Sequence, residues 1–179
     1  ITTALARLSG CNFGTPVLDS ALTLIGGGKL YYRGQDATEL AQRASLEDIA
    51  RLLWPCGEAP FAADNLPPEG PTIRRAWLAV ATLPAIERCL AMLPQIAAID
   101  DGALAEDDAS VRRAGVRLVR LLAAVVAAVP PSAEPVHEVL ARAWKVEPRH
   151  AELLRAALVL CADHELKASA FTVRVVAAT

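Results

Sequence analysis

The stretch DDASVRRAGVRLVRLLAAVVAAV, residues 107–129, constrains the fold more than any other part of the chain. Val111, Gly115, Leu118, Leu122, Val125 and Val129 recur at spacings of four and three, which places them on one stripe of a single α-helix. Arg113, Arg117 and Arg120 fall on another face. The stripe is read as core-facing, with an oligomer seam as the alternative, and Pro130-Pro131 ends the helix. Composition points the same way. Hydrophobic residues make up 54% of the 179 but aromatics only 4%, so the apolar content is mostly Ala, Leu and Val, which suits packed helices better than sheets.

Other helices follow from caps and breakers. Asp36 with Glu39, and Ser45 with Asp48, are N-caps with an acid three residues on, heading helices over about 37–43 and 46–54. Residues 55–71 hold five prolines and two glycines and read as a loop or linker. Helices resume over about 72–83 and 84–99, the second with Pro84 at its start, and again over 135–145 and 148–163. A last one is expected near Ser169. The exception to helix lies near residues 22–33, where Leu22-Thr23-Leu24-Ile25 and Leu30-Tyr31-Tyr32 flank Gly26-Gly27-Gly28-Lys29 and read as a β-hairpin. No Gly-Lys-Ser/Thr follows these glycines, so they are a turn rather than a phosphate cradle. The fold class expected is all-α and multi-helical, with one small N-terminal hairpin.

Charge and cysteines narrow the partners. Eighteen basic against twenty acidic residues leave no electrostatic footprint for nucleic acid or an anionic membrane. Arg74-Arg75 and Arg112-Arg113 are expected on solvated helix faces. Cys11, Cys56, Cys89 and Cys161 show no C-x-x-C spacing, so no metal site or disulfide framework is expected, and reduced thiols suit a cytoplasmic protein. The most apolar run, Ala114 to Val129, carries Arg117 and Arg120 and is too short to span a bilayer. From the start at Ile1 rather than Met, a fragment or a processed product is expected.

The chemistry concentrates in LVLCADHELKASAF, residues 158–171, where an apolar helix runs into Asp163-His164-Glu165. Leu153, Ala157, Leu160 and His164 share one stripe; Leu154, Leu158, Cys161 and Glu165 share the next. His164 therefore extends an apolar column, and it is expected to point inward. The partial negative charge of a helix C-terminus and a flanking carboxylate both favour imidazolium. From spacing alone two readings stand: a histidine donating to an anionic ligand in a cleft, or a C-cap bonded only to backbone carbonyls. His137 and His150 sit among charged neighbours at helix starts and are expected on the surface.

Two segments more than a hundred residues apart carry a family resemblance. GKLYYRGQDATELAQRASLEDIARLLWPCGEAP (28–60) resembles the citrate synthase signature in which G-x-L-x-Y-R-G-x-D leads into E-L-A and then a helix ending near L-L-W before G-E-x-P. ADHELKASAFTVRVVAAT (162–179) is similar to the family's H-x-D-H-E-x-N-A-S-T-F-x-x-R segment. The resemblance implies that residues 1–179 are the N-terminal portion of a citrate synthase-like large domain and part of a homodimer. It implies condensation of an acyl-CoA, typically acetyl-CoA, with a 2-oxo acid, typically oxaloacetate. Acyl-CoA is then a co-substrate, and no cofactor is implied. His164 corresponds to the histidine that binds oxaloacetate.

Three positions depart from the pattern: Cys161 replaces the first histidine, Lys167 the asparagine and Ala170 the threonine. The family's later G-P-x-H-G segment, second histidine, catalytic aspartate and anion-binding arginines do not occur up to Thr179. No catalytic residue is therefore assigned within these residues, and they are expected to be inactive alone. A non-catalytic module that binds a carboxylic acid or regulates is the alternative.

Overall fold

A computed structural model describes residues 21–100, 106–163, 172, 173 and 176. Among them are seven α-helices, one 3₁₀ turn and one three-stranded antiparallel sheet, so the mainly helical expectation holds. The chain forms two compact units, residues 1–53 with 155–179, and residues 54–154.

The first unit begins with β1 (Thr23–Gly26) and β2 (Lys29–Tyr32), the expected hairpin. Its turn is Gly27-Gly28, both at positive φ (59° and 75°), as a two-residue hairpin turn of type I′ requires. A second tight turn at Arg33-Gly34 adds β3 (Gln35–Asp36), a strand not expected from the sequence. Two residues are too few to show an alternating pattern. Asp36 then caps α1 (Ala37–Leu40), accepting from the Thr38 amide at 2.8 Å. Ser45 and Asp48 form the reciprocal cap expected for α2 (Leu46–Leu53): Asp48 Oδ2 accepts from the Ser45 amide at 2.8 Å, and Ser45 Oγ from the Asp48 amide at 3.2 Å. Both helices pack on β2.

The second unit holds the 3₁₀ turn Ala59–Phe61 inside the Pro-rich stretch, then α3 (Pro71–Val80), α4 (Ala85–Ala97), α5 (Asp108–Ala127) and α6 (Val136–Ala143). Helix α5 is the spine, with α4, α6 and the 3₁₀ turn all packed on it. The core joins Ile73 and Val80 of α3, Met92 and Ile96 of α4, and Leu121 and Val125 of α5. Trp54 stacks on Phe61 and lies over Gly115, where an added Cβ would stand 3.2 Å from the ring. The last helix, α7 (Pro148–Leu160), contains the division between the units. Thr172, Val173 and Val176 are helical, whereas Ser169 lies outside the described residues.

Three expectations about faces need correction. The buried line of α5 is Val116, Arg120, Leu121, Ala123, Ala124 and Val125, while Val111 and Leu118 of the expected stripe are about half exposed. An Ala/Val/Leu-rich helix offers several four-three lines, and the neighbouring elements select one. Arg120 is the sharpest case. It is buried because its guanidinium donates to the carbonyls of Phe61 (3.0 Å), Ala62 (3.0 Å) and Asn65 (2.6 Å), around the end of the 3₁₀ turn. On α7, Leu153 and Ala157 are exposed and Val159 is buried, so the stripe leading to His164 lies outward as far as Leu160. The side chain of His137, expected on the surface, is 11% exposed, whereas that of His150 is half exposed.

Replacing Arg120 by Leu leaves three carbonyls without their charged donor. The expected cost is about 3 kcal/mol of unfolding free energy. Arg112→Leu removes only an exposed ion pair with Asp108 on the same helix and is expected to cost about 0.5 kcal/mol. Denaturant melts of both variants check the contrast; equal losses would contradict the role given to Arg120.

Candidate functional site

Strand alternation splits the hairpin's duties between its two faces. Thr23 and Tyr32 are direct cross-strand partners, so their side chains leave the same face of the sheet. Lys29 and Tyr31 alternate onto the other face, and Asp36 joins them because it pairs with Tyr31. There Lys29 Nζ donates to Asp36 Oδ2 at 2.8 Å. That hydrogen bond, reinforced by those from Thr38, holds the Asp36 carboxyl well below the usual carboxylate range. The N-cap of α1 thus stays ionised at any ordinary pH.

The Thr23–Tyr32 face reaches the end of α7. Tyr32 is fully buried, and its hydroxyl lies 3.0 Å from the Val159 carbonyl, 3.1 Å from that of Leu160 and 3.5 Å from that of Asp163. A phenol has one proton to donate, so the two nearer carbonyls share it and the third is a marginal contact. Burial pushes the Tyr32 phenol above its ordinary value, which keeps it a donor at neutral pH. Thr23 Oγ1 donates to Asp163 Oδ2. Both polar handles of Asp163, its carboxylate and its carbonyl, therefore face hairpin side chains.

The rest of the 28–36 segment is also occupied in holding helix ends. Arg33 takes a left-handed conformation, φ 45°, which costs a non-glycine residue steric strain. In that conformation its amide donates to Leu22 O at 2.7 Å, and Nη2 and Nε donate to Leu53 O, the last carbonyl of α2, at 2.9 and 3.2 Å. Arg155 of α7 donates to the carbonyls of Ala41 (3.2 Å), Gln42 (3.2 Å) and Ala44 (2.5 Å) just beyond α1. The motif residues Tyr32, Arg33 and Asp36 are thus framework residues of this unit. The Asp36 cap was visible from sequence; the roles of Tyr32 and Arg33 were not, because their partners are carbonyls whose position only the fold determines.

His164 lies outside the described residues, as do Glu165, Lys167 and Ala170. What the structure places is the point from which His164 departs: Asp163, clamped to the hairpin, with Cys161 exposed beside it. Two clefts occur in the second unit. The first, of about 430 Å³, is apolar apart from Asp100 and Arg117. Arg117 binds Asp100 through both Nε (2.9 Å) and Nη2 (2.5 Å) and reaches Asn65 Oδ1 with Nη1 (3.2 Å). Its charge is thereby matched within the protein, which suits an apolar occupant better than a dianion. The second cleft, of about 410 Å³, is lined chiefly by Pro67, Pro68, Ile73, Trp77, Pro130 and Pro131, with Arg74 exposed at its edge. Among the described residues no three His, Cys, Asp or Glu side chains gather to hold a metal, and no helix is long and apolar enough to cross a membrane.

The family model described as citrate synthase, C-terminal domain, matches residues 11–179, and the chain belongs to the citrate synthase family. The role that goes with that family is, in general terms, a citrate synthase-like condensation of small-molecule substrates. No curated protein and no solved structure matches the chain.

Proposed function

We propose that this chain is part of an acyltransferase that condenses an acyl-CoA, acetyl-CoA in the first instance, with a 2-oxo acid, oxaloacetate in the first instance. The observation that carries the reading is the family match across 11–179, with D-H-E falling at residues 163–165. His164 is the residue that receives the 2-oxo acid. A dianion of this kind needs convergent, charge-assisted donors shielded from water, and an imidazolium following a helix C-terminus is one such donor. The acyl-CoA is a co-substrate, and the reading calls for no metal or organic cofactor.

Condensation also needs a base to take the acyl methyl proton and donors for the enolate oxygen. His164 cannot supply all of these. On this reading residues 1–179 are the N-terminal portion of the large domain, and as a polypeptide they do not catalyse the reaction. A cytoplasmic homodimer completes it. The partly or largely exposed Leu78, Ile86, Leu90, Val111 and Leu118 of the second unit support self-association, and light scattering at micromolar concentration should give twice the monomer mass. A carboxylic-acid-binding module without catalysis is the second reading, favoured by Cys161 and Lys167 standing where the motif has histidine and asparagine.

Oxaloacetate-dependent release of thiol from acetyl-CoA tests the first reading in the full gene product. Residues 1–179 alone should release none. In the full product His164→Ala should weaken oxaloacetate binding by about 1.5–3 kcal/mol, the worth of one charge-assisted hydrogen bond, with the melting temperature held. His164→Asn should recover part of the loss, because its amide still donates. A fall in melting temperature with unchanged affinity would assign His164 to a helix cap instead.

A further inference from the structure

We propose that the cleft at the start of α3 binds an apolar α-amino acid, its side chain in the cleft and its two charged α-groups on Arg74 and Glu69. The cleft lies wholly within the second unit, and the proposal does not rest on the condensation reading above.

At about 410 Å³ the cleft has the size that takes a small organic molecule. Ile73, Ile96 and Leu121 line it from the core side and are buried, and Trp77 with the prolines adds apolar ring surfaces. Such walls suit a branched or aromatic side chain, whose burial supplies the affinity. The charged lining residues are Glu69, just ahead of α3, and Arg74, in its first turn. Both are exposed, and among the described residues neither side chain makes a hydrogen bond or an ion pair, with each other or with any other group. The neighbouring cleft is the opposite case, since Arg117 and Asp100 there neutralise each other. Charge complementarity selects the ligand. A plain carboxylate would meet Arg74 but also the repulsion of Glu69, and a plain amine would meet the converse. An α-amino acid carries both charges on one carbon, satisfies both groups at once, and leaves its side chain to enter the cleft. The guanidinium fork is suited to a carboxylate, so Arg74 takes that group and Glu69 the ammonium.

Calorimetric titration of the full gene product with L-phenylalanine tests the proposal. 3-Phenylpropionate and phenethylamine serve as probes that each lack one of the two charges. L-Phenylalanine should bind with a dissociation constant of about 1 mM or tighter, the range open to a ligand of its size. Each single-charge probe should bind about tenfold more weakly or worse. Arg74→Gln and Glu69→Gln should each weaken L-phenylalanine about tenfold. Their melting temperatures should not change, because both side chains are exposed and unpaired in the free protein. No saturable binding of L-phenylalanine at millimolar concentration would overturn the proposal. Binding of either single-charge probe as tight as that of the amino acid would overturn the zwitterion assignment and the proposal with it. L-Phenylalanine affinity unchanged in either variant would overturn the placement at Arg74 and Glu69.

Discussion

The hydroxyl of Tyr32, set against the last carbonyls of α7, is the contact on which the first unit depends. A helix leaves its final four carbonyls without intrahelical donors, and proteins commonly answer with a left-handed glycine just past the end. Here α1, α3, α4, α5 and α6 are followed by Ala41, Ala81, Ala98, Ala128 and Trp144. Left-handed Ala128 and Lys145 close α5 and α6 through backbone hydrogen bonds, and side chains from elsewhere in the fold serve further helix-end carbonyls. Arg33 serves α2, Arg88 serves α5 through Val125 O and Val126 O at 2.9 Å each, and Arg155 serves the end of α1. Each such bond ties a helix end to a residue distant in sequence, and a charged donor is worth about 1.5–3 kcal/mol where a neutral one is worth about 1 kcal/mol.

This gives the family signature a physical meaning. In Gly28–Asp36 the glycines make tight turns, Asp36 starts α1, Arg33 closes α2, and Tyr32 with Thr23 holds the end of α7 and Asp163 just beyond it. None of these residues is free to be a reactive group in this arrangement. The segment is the frame against which Asp163 is held.

Local features were legible in the sequence. The hairpin turn, the Asp36 and Ser45–Asp48 caps and the helices ending at prolines depend on neighbours within a few residues. Faces were not. On α5 the four-three rule selected Val111 and Leu118, yet Val116 and Leu121 fit a helical stripe equally well, and only the elements packed on α5 decide between them. Arg120 was placed off the core-facing stripe because no sequence rule announces three carbonyls 55–59 residues earlier. On α7 the periodicity was sound but its direction was inverted, since Arg155 and Val159 hold the inner side. The inward direction of His164 therefore finds no support in the stripe, and its place in the site rests on the D-H-E motif.

Native-state hydrogen exchange tests the central claim, that hairpin and α7 end form one cooperative element. Amides of β2 and of the last turns of α7, Ala157 to Cys161, should open with a common free energy, and Tyr32→Phe should lower it in both segments together. If Tyr32→Phe loosens β2 alone and leaves the α7 amides as protected as before, the hairpin does not hold that helix end, and the account is wrong.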